Sequence, residues 1–155
     1  MLFRSTPSAL NQLESIAQTL TRTGSPGVIG AGLIFGIADY ASFMNVADII
    51  AGQSRNFSYA KQKVATVAKA YGLHAIDNVF LQLWRANDPE DRIAEIQNAL
   101  RQKNVDSANF GIDGSWVIHP QQADIVNSSY GPSDELVAQY RKIVELRSEE
   151  HTSEL

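Results

Sequence analysis

Three polar residues lie in or directly after short apolar segments, where a fold could bring them together. Asp39 follows the segment AGLIFGI, Asp77 lies within HAIDNVF, and His119 lies within WVIHPQQ. A carboxylate can hold a hard cation such as magnesium, which prefers oxygen ligands. A histidine can act as an acid, a base or a ligand. These three side chains are the candidate functional residues of the chain.

Each of the three also has a structural role open to it. Asp39 could cap a helix that begins at Tyr40 or Ala41. Asp77 could be an internal hydrogen-bonding residue, because an acid within a strand is costly unless it is paired. His119 could be a satisfied structural histidine that precedes Pro120. The residues alone leave these alternatives open, and they favour the structural role for all three.

Strands that alternate with helices are predicted along the whole chain. The apolar runs Ala31–Gly36, Leu73–Phe80 and Ser115–Ile118 indicate strands, and the first residues indicate the tail of another. These strands end near Ser5, Asp39, Asp77 and His119, at intervals of 34, 38 and 42 residues. A strand–helix unit of a (β/α)8 barrel takes about 30 residues. The predicted fold class is therefore α/β, a partial (β/α)8 TIM barrel with about the last four βα units.

The predicted helices have recognisable ends. Ser8 is the expected N-cap of the first helix, and Gly72 closes a helix whose apolar face runs from Phe57 to Tyr71. Asp88 is expected to cap a helix with Pro89 at its first position. The final helix is predicted to be capped by Ser133 and to carry one apolar face, formed by Leu136, Val137, Tyr140, Ile143 and Val144.

Composition excludes several classes of function. The 155 residues include 13 basic and 17 acidic side chains, a net charge of −4, which argues against nucleic acid as a partner. The absence of cysteine excludes disulfides and thiolate metal sites. The longest uncharged apolar stretch, Gly27–Ala38, is shorter than the roughly 20 residues that cross a membrane, so no membrane partner is expected. These properties indicate a soluble, cytoplasmic domain.

The last nine residues differ from those before them. RSEEHTSEL, residues 147–155, is polar and matches the translation of a common sequencing adapter. We therefore expect residues 1–146 to form the domain and residues 147–155 to be an adapter-derived tail.

Four segments in order carry a family resemblance: FGIADYASF, YAKQKVATVAKAYGLHAID, GIDGSWVIHPQQ and NSSYGPSDELVAQYRKIV. Together they resemble the C-terminal part of the HpcH/HpaI aldolase/citrate lyase family, in particular its citrate lyase β-subunit-like branch. The resemblance extends to about Leu146. It implies a (β/α)8 barrel, and a parent lyase that cleaves a citryl-, malyl- or citramalyl-CoA type of hydroxyacyl-CoA to an acyl-CoA and a 2-oxo acid.

The resemblance also implies a cofactor and site residues. Asp39 matches the aspartate that holds Mg²⁺ in the family, where the metal polarises the keto oxygen of the 2-oxo acid fragment. Asp77, His119 and Gln122 match positions expected on the wall of the substrate pocket. The full-length parent is expected to form a homo-oligomer.

One departure from the family pattern matters for function. The second metal-binding residue of the family is a Glu at the preceding strand end, and Arg4 or Ser5 occupies that place here. Because the resemblance covers only the C-terminal part of the family, the fragment itself is also expected to be inactive. The alternative interpretation is a catalytically inactive homologue or scaffold. A flavodoxin-like nucleotide-binding domain would also have alternating strands and helices, but this sequence lacks a phosphate loop after its first predicted strand.

Overall fold

The structure is a computed structural model that describes residues 5–22, 30–47, 49 and 57–152. Strands and helices alternate over most of this part, as expected for an α/β domain. None of the described helices is long and apolar enough to cross a membrane. The elements in chain order are α1 Pro7–Asn11, α2 Leu13–Arg22, β1 Gly32–Ile34, α3 Ile37–Phe43, α4 Ser58–Ala70, β2 His74–Asp77, α5 Glu90–Asn109, β3 Gly114–Ser115, a 3-10 turn Pro120–Gln122, α6 Ala123–Tyr130 and α7 Asp134–Thr152.

The three described strands form one parallel sheet in the order β1-β2-β3. Leu33 pairs with Ala75, and Ile76 pairs with Gly114. Because side chains alternate along a strand, Leu33 and Ala75 lie on one face, where both are buried, and Ile34 lies on the other, where it is 37% exposed. Only one face of the described sheet is therefore fully covered.

Two apolar clusters hold the helices against the covered face. The larger cluster joins α1, α2 and α4 to β1 and β2, and its centre is an aromatic group of Phe35, Tyr40 and Phe57 with ring centroids 5.4–6.5 Å apart. The smaller cluster joins α5 and α6 through Leu100 and Val126. Together they place helices beside all three strands and leave the carboxyl ends of the strands at one edge.

The strands are shorter than their apolar runs predict. The apolar run Ala31–Gly36 contains only the three-residue strand β1, Gly32–Ile34. The run Leu73–Phe80 contains only β2, His74–Asp77. The predicted strand Ser115–Ile118 is only Gly114–Ser115. The last of these ends early because the Ile118 N–H donates to the Gln122 side chain, 3.2 Å away, instead of to a neighbouring strand. The strand predicted before Ser5 lies outside the described residues.

Two of the predicted helix caps are wrong and one is confirmed. Thr6, not Ser8, caps α1, because its Oγ1 accepts from the Ala9 N–H at 3.0 Å. The N-cap of α5 is Pro89 in an extended conformation, while the Asp88 carboxylate accepts from the Arg85 N–H. Ser133 does cap α7, accepting from the Leu136 N–H at 3.2 Å. Helix α7 continues to Thr152, beyond the start of the predicted tail.

Gly72 gives a direct test of the turn between α4 and β2. Its φ of +66° is a left-handed conformation, which costs a residue with a Cβ about 1–2 kcal/mol. We expect Gly72→Ala to lower the free energy of unfolding in urea by about 1 kcal/mol, although the added methyl group would meet no atom within 4 Å. Gly114→Ala is the matched control, since Gly114 has no positive φ and its nearest neighbour is the Ile76 Cδ1 at 3.7 Å. Equal losses from both variants would contradict the conformational explanation.

Candidate functional site

The candidate residues Asp39 and His119 follow different strands at the same edge of the sheet. Asp39 lies in the first turn of α3, just after β1, and His119 precedes the 3-10 turn that follows β3. Parallel strands end at a common edge, and sites in α/β proteins are built on the loops there. The fold therefore brings these two positions to one side of the sheet, with the end of β2 between them.

Asp39 is exposed, and no described residue donates a hydrogen bond to its carboxylate. It does not act as a helix cap, because the N-cap of α3 is Gly36. Ser5, the described residue at the place where the family has its Glu, is buried, and its Oγ accepts from the Gly36 N–H at 2.7 Å. This bond ties Ser5 to the start of the helix that carries Asp39. Arg4 lies outside the described residues.

The donor set for a magnesium ion is incomplete in this part of the chain. The described residues contain no group of three or more His, Cys, Asp or Glu side chains that could hold a metal together. Magnesium in proteins is often held by one or two carboxylates, with water and substrate oxygens completing its coordination. Asp39 fits one such position, and the Ser5 hydroxyl, which is already engaged with Gly36, does not supply the second carboxylate.

Asp77 is completely buried in an ionic network between the sheet and two helices. Its Oδ2 lies 2.9 Å from the Lys61 Nζ of α4 and 3.1 Å from the Lys103 Nζ of α5. The Ser107 hydroxyl, also on α5, lies 2.6 Å from the same oxygen. The Oδ1 accepts from the Asn78 N–H at 2.8 Å. Both carboxylate oxygens are thus occupied by groups of the protein.

The network holds two cations and one anion, because Lys61 and Lys103 both pair with the Asp77 carboxylate. Burial alone would raise the pKa of Asp77, but Lys103 and Lys61 outweigh it and hold that pKa below its ordinary value. Burial lowers the pKa of Lys103 to about 8, an effect that the Asp77 carboxylate only partly offsets and the Lys61 charge reinforces. Lys103 also donates to the Asn78 carbonyl and the Ser115 hydroxyl, so it joins the ends of β2 and β3.

The position of Asp77 on the substrate-pocket wall stays a prediction; in the structure its side chain is buried beneath α4 and α5. It lies on the same face of β2 as buried Ala75, opposite Ile76, and it is not among the residues that line the open cavity described below. The sequence carried a signal for its partners. Leu100, Lys103 and Ser107 are spaced so that they share one face of α5, which marks the lysine and the serine as inward-facing.

Gln122, the third residue expected on the pocket wall, is also buried and fully engaged. Its Nε2 donates to the carbonyls of Phe80 and Gln82, at 3.0 and 3.2 Å, and its Oε1 accepts from the Ile118 N–H. Gln122 therefore joins the segment after β2 to the segment after β3. It shapes the edge of the sheet from within, as Asp77 does.

His119 lines an open cavity of about 520 Å³ beside this edge. Its Nδ1 accepts from the Gln121 N–H at 3.3 Å, which leaves Nε2 to carry the ring proton when the imidazole is neutral. Sequence reasoning identified His119 but missed the other polar residues of the cavity. The polar lining consists of Arg85, Asp88, Arg92, His119 and Gln121, with the indole of Trp84 beside them.

The interior next to the Asp77 network contains polar atoms without partners. Among the described residues, both amide atoms of Asn104 and the Oδ1 of Asn78 are buried and make no hydrogen bond. Burial, reinforced by the negative charge of Asp77, raises the pKa of Tyr130, and hydrogen bonds with Ser107 and Ser115 offset this only in part, so its hydroxyl stays protonated. The layer between the sheet, α5 and α6 is therefore unusually polar for a protein core.

The parallel βα arrangement defines an α/β protein, in which the candidate residues Asp39 and His119 lie at the carboxyl edge of the sheet. No protein-family model matches the chain. The chain is 27% identical over 136 residues to the mitochondrial citramalyl-CoA lyase of Mus musculus, an alignment that covers 87% of this chain and 36% of that protein. It is 28% identical over 113 residues to the citrate lyase subunit beta of Leuconostoc mesenteroides, covering 73% of this chain and 33% of the relative.

Two solved structures from Mycobacterium tuberculosis share the fold. The citrate lyase beta subunit complexed with oxaloacetate and magnesium has a TM-score of 0.59 and 21% identity, covering 83% of this chain and 50% of that one. The CitE protein in complex with magnesium, acetoacetate and coenzyme A has a TM-score of 0.67 and 21% identity, covering 92% and 48%. The resemblance to citrate lyase β-subunit-like proteins is thus confirmed. The chain spans about a third of the length of these curated relatives and about half of these solved chains.

Because two lysines share the Asp77 carboxylate, substitutions at Asp77 and at Lys103 should lower the free energy of unfolding by different amounts. Asp77→Asn leaves two buried lysines without a counter-charge, and we expect it to lower the free energy of unfolding by about 3–5 kcal/mol. Lys103→Met leaves the Lys61–Asp77 pair intact, so we expect a smaller loss, below about 2 kcal/mol. Urea denaturation of both variants measures the difference. A larger loss for Lys103→Met than for Asp77→Asn would show that Asp77 is not the centre of the network.

The lowered pKa of Lys103 predicts a pH dependence of stability with a defined sign. Between pH 8 and the ordinary lysine value of 10.5, the unfolded chain holds a proton on Lys103 that the folded chain has lost. Raising the pH through this window therefore favours the folded state. We expect the free energy of unfolding of the unmodified chain to rise relative to that of Lys103→Met between about pH 8 and pH 10. A constant or falling difference would refute the assignment.

Proposed function

We propose that this chain forms part of a magnesium-dependent carbon–carbon lyase that cleaves a hydroxyacyl-CoA to an acyl-CoA and a 2-oxo acid. The names of the curated relatives, citramalyl-CoA lyase and citrate lyase subunit beta, support this reaction class. Complexes of the structural neighbours with magnesium, oxaloacetate and coenzyme A support the cofactor and the substrate class. Because the chain spans only part of these proteins, the activity belongs to the larger protein.

The observation that carries the proposal is the exposed carboxylate of Asp39 at the carboxyl edge of the sheet. In the proposed site Asp39 is one ligand of the magnesium ion. The metal, when bound, supplies a Lewis acid that polarises the 2-oxo oxygen of the substrate and stabilises the enolate left by carbon–carbon bond cleavage. The chain leaves the Asp39 carboxylate without a competing hydrogen bond from any described residue, so it is available for such a ligand.

The other predicted site residues take two kinds of role in this proposal. His119 belongs to the pocket wall, where its Nε2–H can donate to a bound substrate. Asp77 and Gln122 support that wall from behind, because one holds the end of β2 and the other joins the segments on either side of the cavity. They act as positioning residues, because the polar atoms of both side chains are hydrogen-bonded to other groups of the protein.

Apolar side chains on the uncovered side of the sheet support a partial barrel as part of the same proposal. Ile34 at 37% exposed, Trp116 at 54% and Ile118 at 49% line the open side of the sheet and its carboxyl end. In a complete (β/α)8 barrel, such side chains fill the interior in layers with those of the other strands. We propose that this chain supplies about the last four βα units. A homo-oligomeric parent and a cytoplasmic location stay predictions.

A second candidate function is favoured by Ser5. A serine whose hydroxyl accepts from the Gly36 N–H stands at the place of the metal-binding Glu of the family. A catalytically inactive homologue or scaffold would have this feature, because it would lack the second carboxylate that the family pattern supplies to the metal. The two candidates differ in whether the protein expressed from its complete reading frame binds the metal.

The test uses that full-length protein and its Asp39→Ala variant. We expect the variant to bind Mg²⁺ at least about tenfold more weakly in calorimetric titration and to lose lyase activity towards citryl-, malyl- and citramalyl-CoA. Asp134→Ala is the control, because Asp134 is also an exposed acid in the first turn of a helix. Unchanged Mg²⁺ affinity in Asp39→Ala would remove the metal assignment. No Mg²⁺ binding by the unmodified protein would favour the inactive homologue.

A further inference from the structure

One face of the sheet, opposite the helices, has no full cover among the described residues. Ile34, Ile76 and Gly114 lie at one level of this face, because Ile34 pairs with Ile76 and Ile76 pairs with Gly114. Ile34 is 37% exposed, and Trp116 and Ile118, which follow β3, are 54% and 49% exposed. Sheets whose strands are all parallel occur almost only with both faces covered. This uncovered face therefore indicates a contact surface.

The described helices do not supply the cover of the uncovered face. Helix α4 packs on β1 and β2, and α5 and α6 pack on β3, on the side of the buried Leu33 and Ala75. Helix α7 is itself exposed along its apolar side chains, among them Tyr140 and Val144. Among the described strands, β1 and β3 each have a neighbour on one side only. A partner that fits must therefore present an apolar sheet face together with strand edges that can run parallel to these.

We propose that the uncovered face binds a second copy of this chain. A second copy presents the same apolar face and the same open edges, so each copy can cover the other. The sequence predicts about four βα units, and two copies supply the eight that a (β/α)8 barrel contains. A two-fold axis parallel to the strands directs β3 of each copy towards the opposite edge of the other sheet, which closes the assembly at two copies.

The charges of the chain are compatible with this pairing. Each copy has a net charge of −4, so acidic groups on the contact surface would drive two copies apart. The uncovered face contains no Asp, Glu, Lys or Arg; its residues are Gly32, Ile34, His74, Ile76, Gly114, Trp116 and Ile118. Because the contact buries apolar groups and no ion pair, salt should not weaken it.

The inference uses the barrel geometry of the proposed function, but neither Asp39 nor the lyase reaction. The competing occupant of the uncovered face is a set of further strands from a longer protein. A measurement of mass on the 155-residue chain needs no metal and no substrate. Absence of a dimer therefore leaves the lyase proposal standing, and absence of lyase activity leaves the dimer standing.

Analytical ultracentrifugation of the 155-residue chain over a range of concentrations tests the proposal. We expect a monomer–dimer equilibrium that persists at high salt and does not proceed beyond two copies. Ile34→Glu and Trp116→Glu should each raise the Kd of the dimer about tenfold or more, because each buries a charge without a partner in the contact. Val105→Glu on α5 and Tyr140→Glu on α7 are controls matched in exposure, at 39% and 56%, and should leave the Kd unchanged.

Three results would overturn the proposal. The first is a monomer at every concentration, with a cooperative thermal transition that shows it to be folded, which would assign the face to strands of a longer protein. The second is an assembly that keeps growing with concentration, which would show open-ended contacts instead of a closed pair. The third is dissociation by Val105→Glu or Tyr140→Glu as strong as by Ile34→Glu, which would place the contact on the helices.

Discussion

The buried carboxylate of Asp77 joins the middle of the described sheet to two of the helices that cover it. It lies on the central strand of the described sheet and meets Lys61 from α4 and Lys103 and Ser107 from α5. Burial of three ionised groups is costly, and the cost is offset only when the charges face one another with good hydrogen bonds. The geometry satisfies that condition for Asp77, while it leaves one lysine in excess. The polar contacts between these helices and the central strand therefore share one charge, beside the apolar cluster that covers the same face.

This arrangement also determines the form of the carboxyl edge. Lys103 reaches past Asp77 to the Asn78 carbonyl and the Ser115 hydroxyl, which places the ends of β2 and β3 side by side. Beyond those ends, Gln122 joins the segment after β2 to the segment after β3, through the Phe80 carbonyl and the Ile118 N–H. The cavity that contains His119 opens just outside these contacts. Asp77 and Gln122, which the sequence assigned to the substrate-pocket wall, are thus bonded to groups of the protein on either side of this cavity.

Features that depend on residues close together in the chain follow the sequence pattern. Gly72 has the positive φ expected of a glycine that closes a helix, and Ser133 caps α7, because both features depend on residues within four positions of each other. The parallel α/β character also followed from the alternation of apolar runs. The strand Ser115–Ile118 was predicted too long, because Gln122 competes for a backbone N–H that a strand would have used. A prediction based on apolar residues alone cannot include such a hydrogen bond.

The amino-acid sequence by itself determined the alternating elements, the order of the polar residues at the strand ends and the resemblance to citrate lyase β-subunit-like proteins. All three are local or linear properties of the chain. Only the tertiary structure decided which of those residues face outward. Side chains alternate along a strand, so Asp77 faces the helices, whereas Asp39, displaced onto the first turn of α3, remains exposed. The pairing of Asp77 with Lys103 and the meeting of Arg85 with His119 join residues 26 and 34 positions apart, and chain packing alone brings them together.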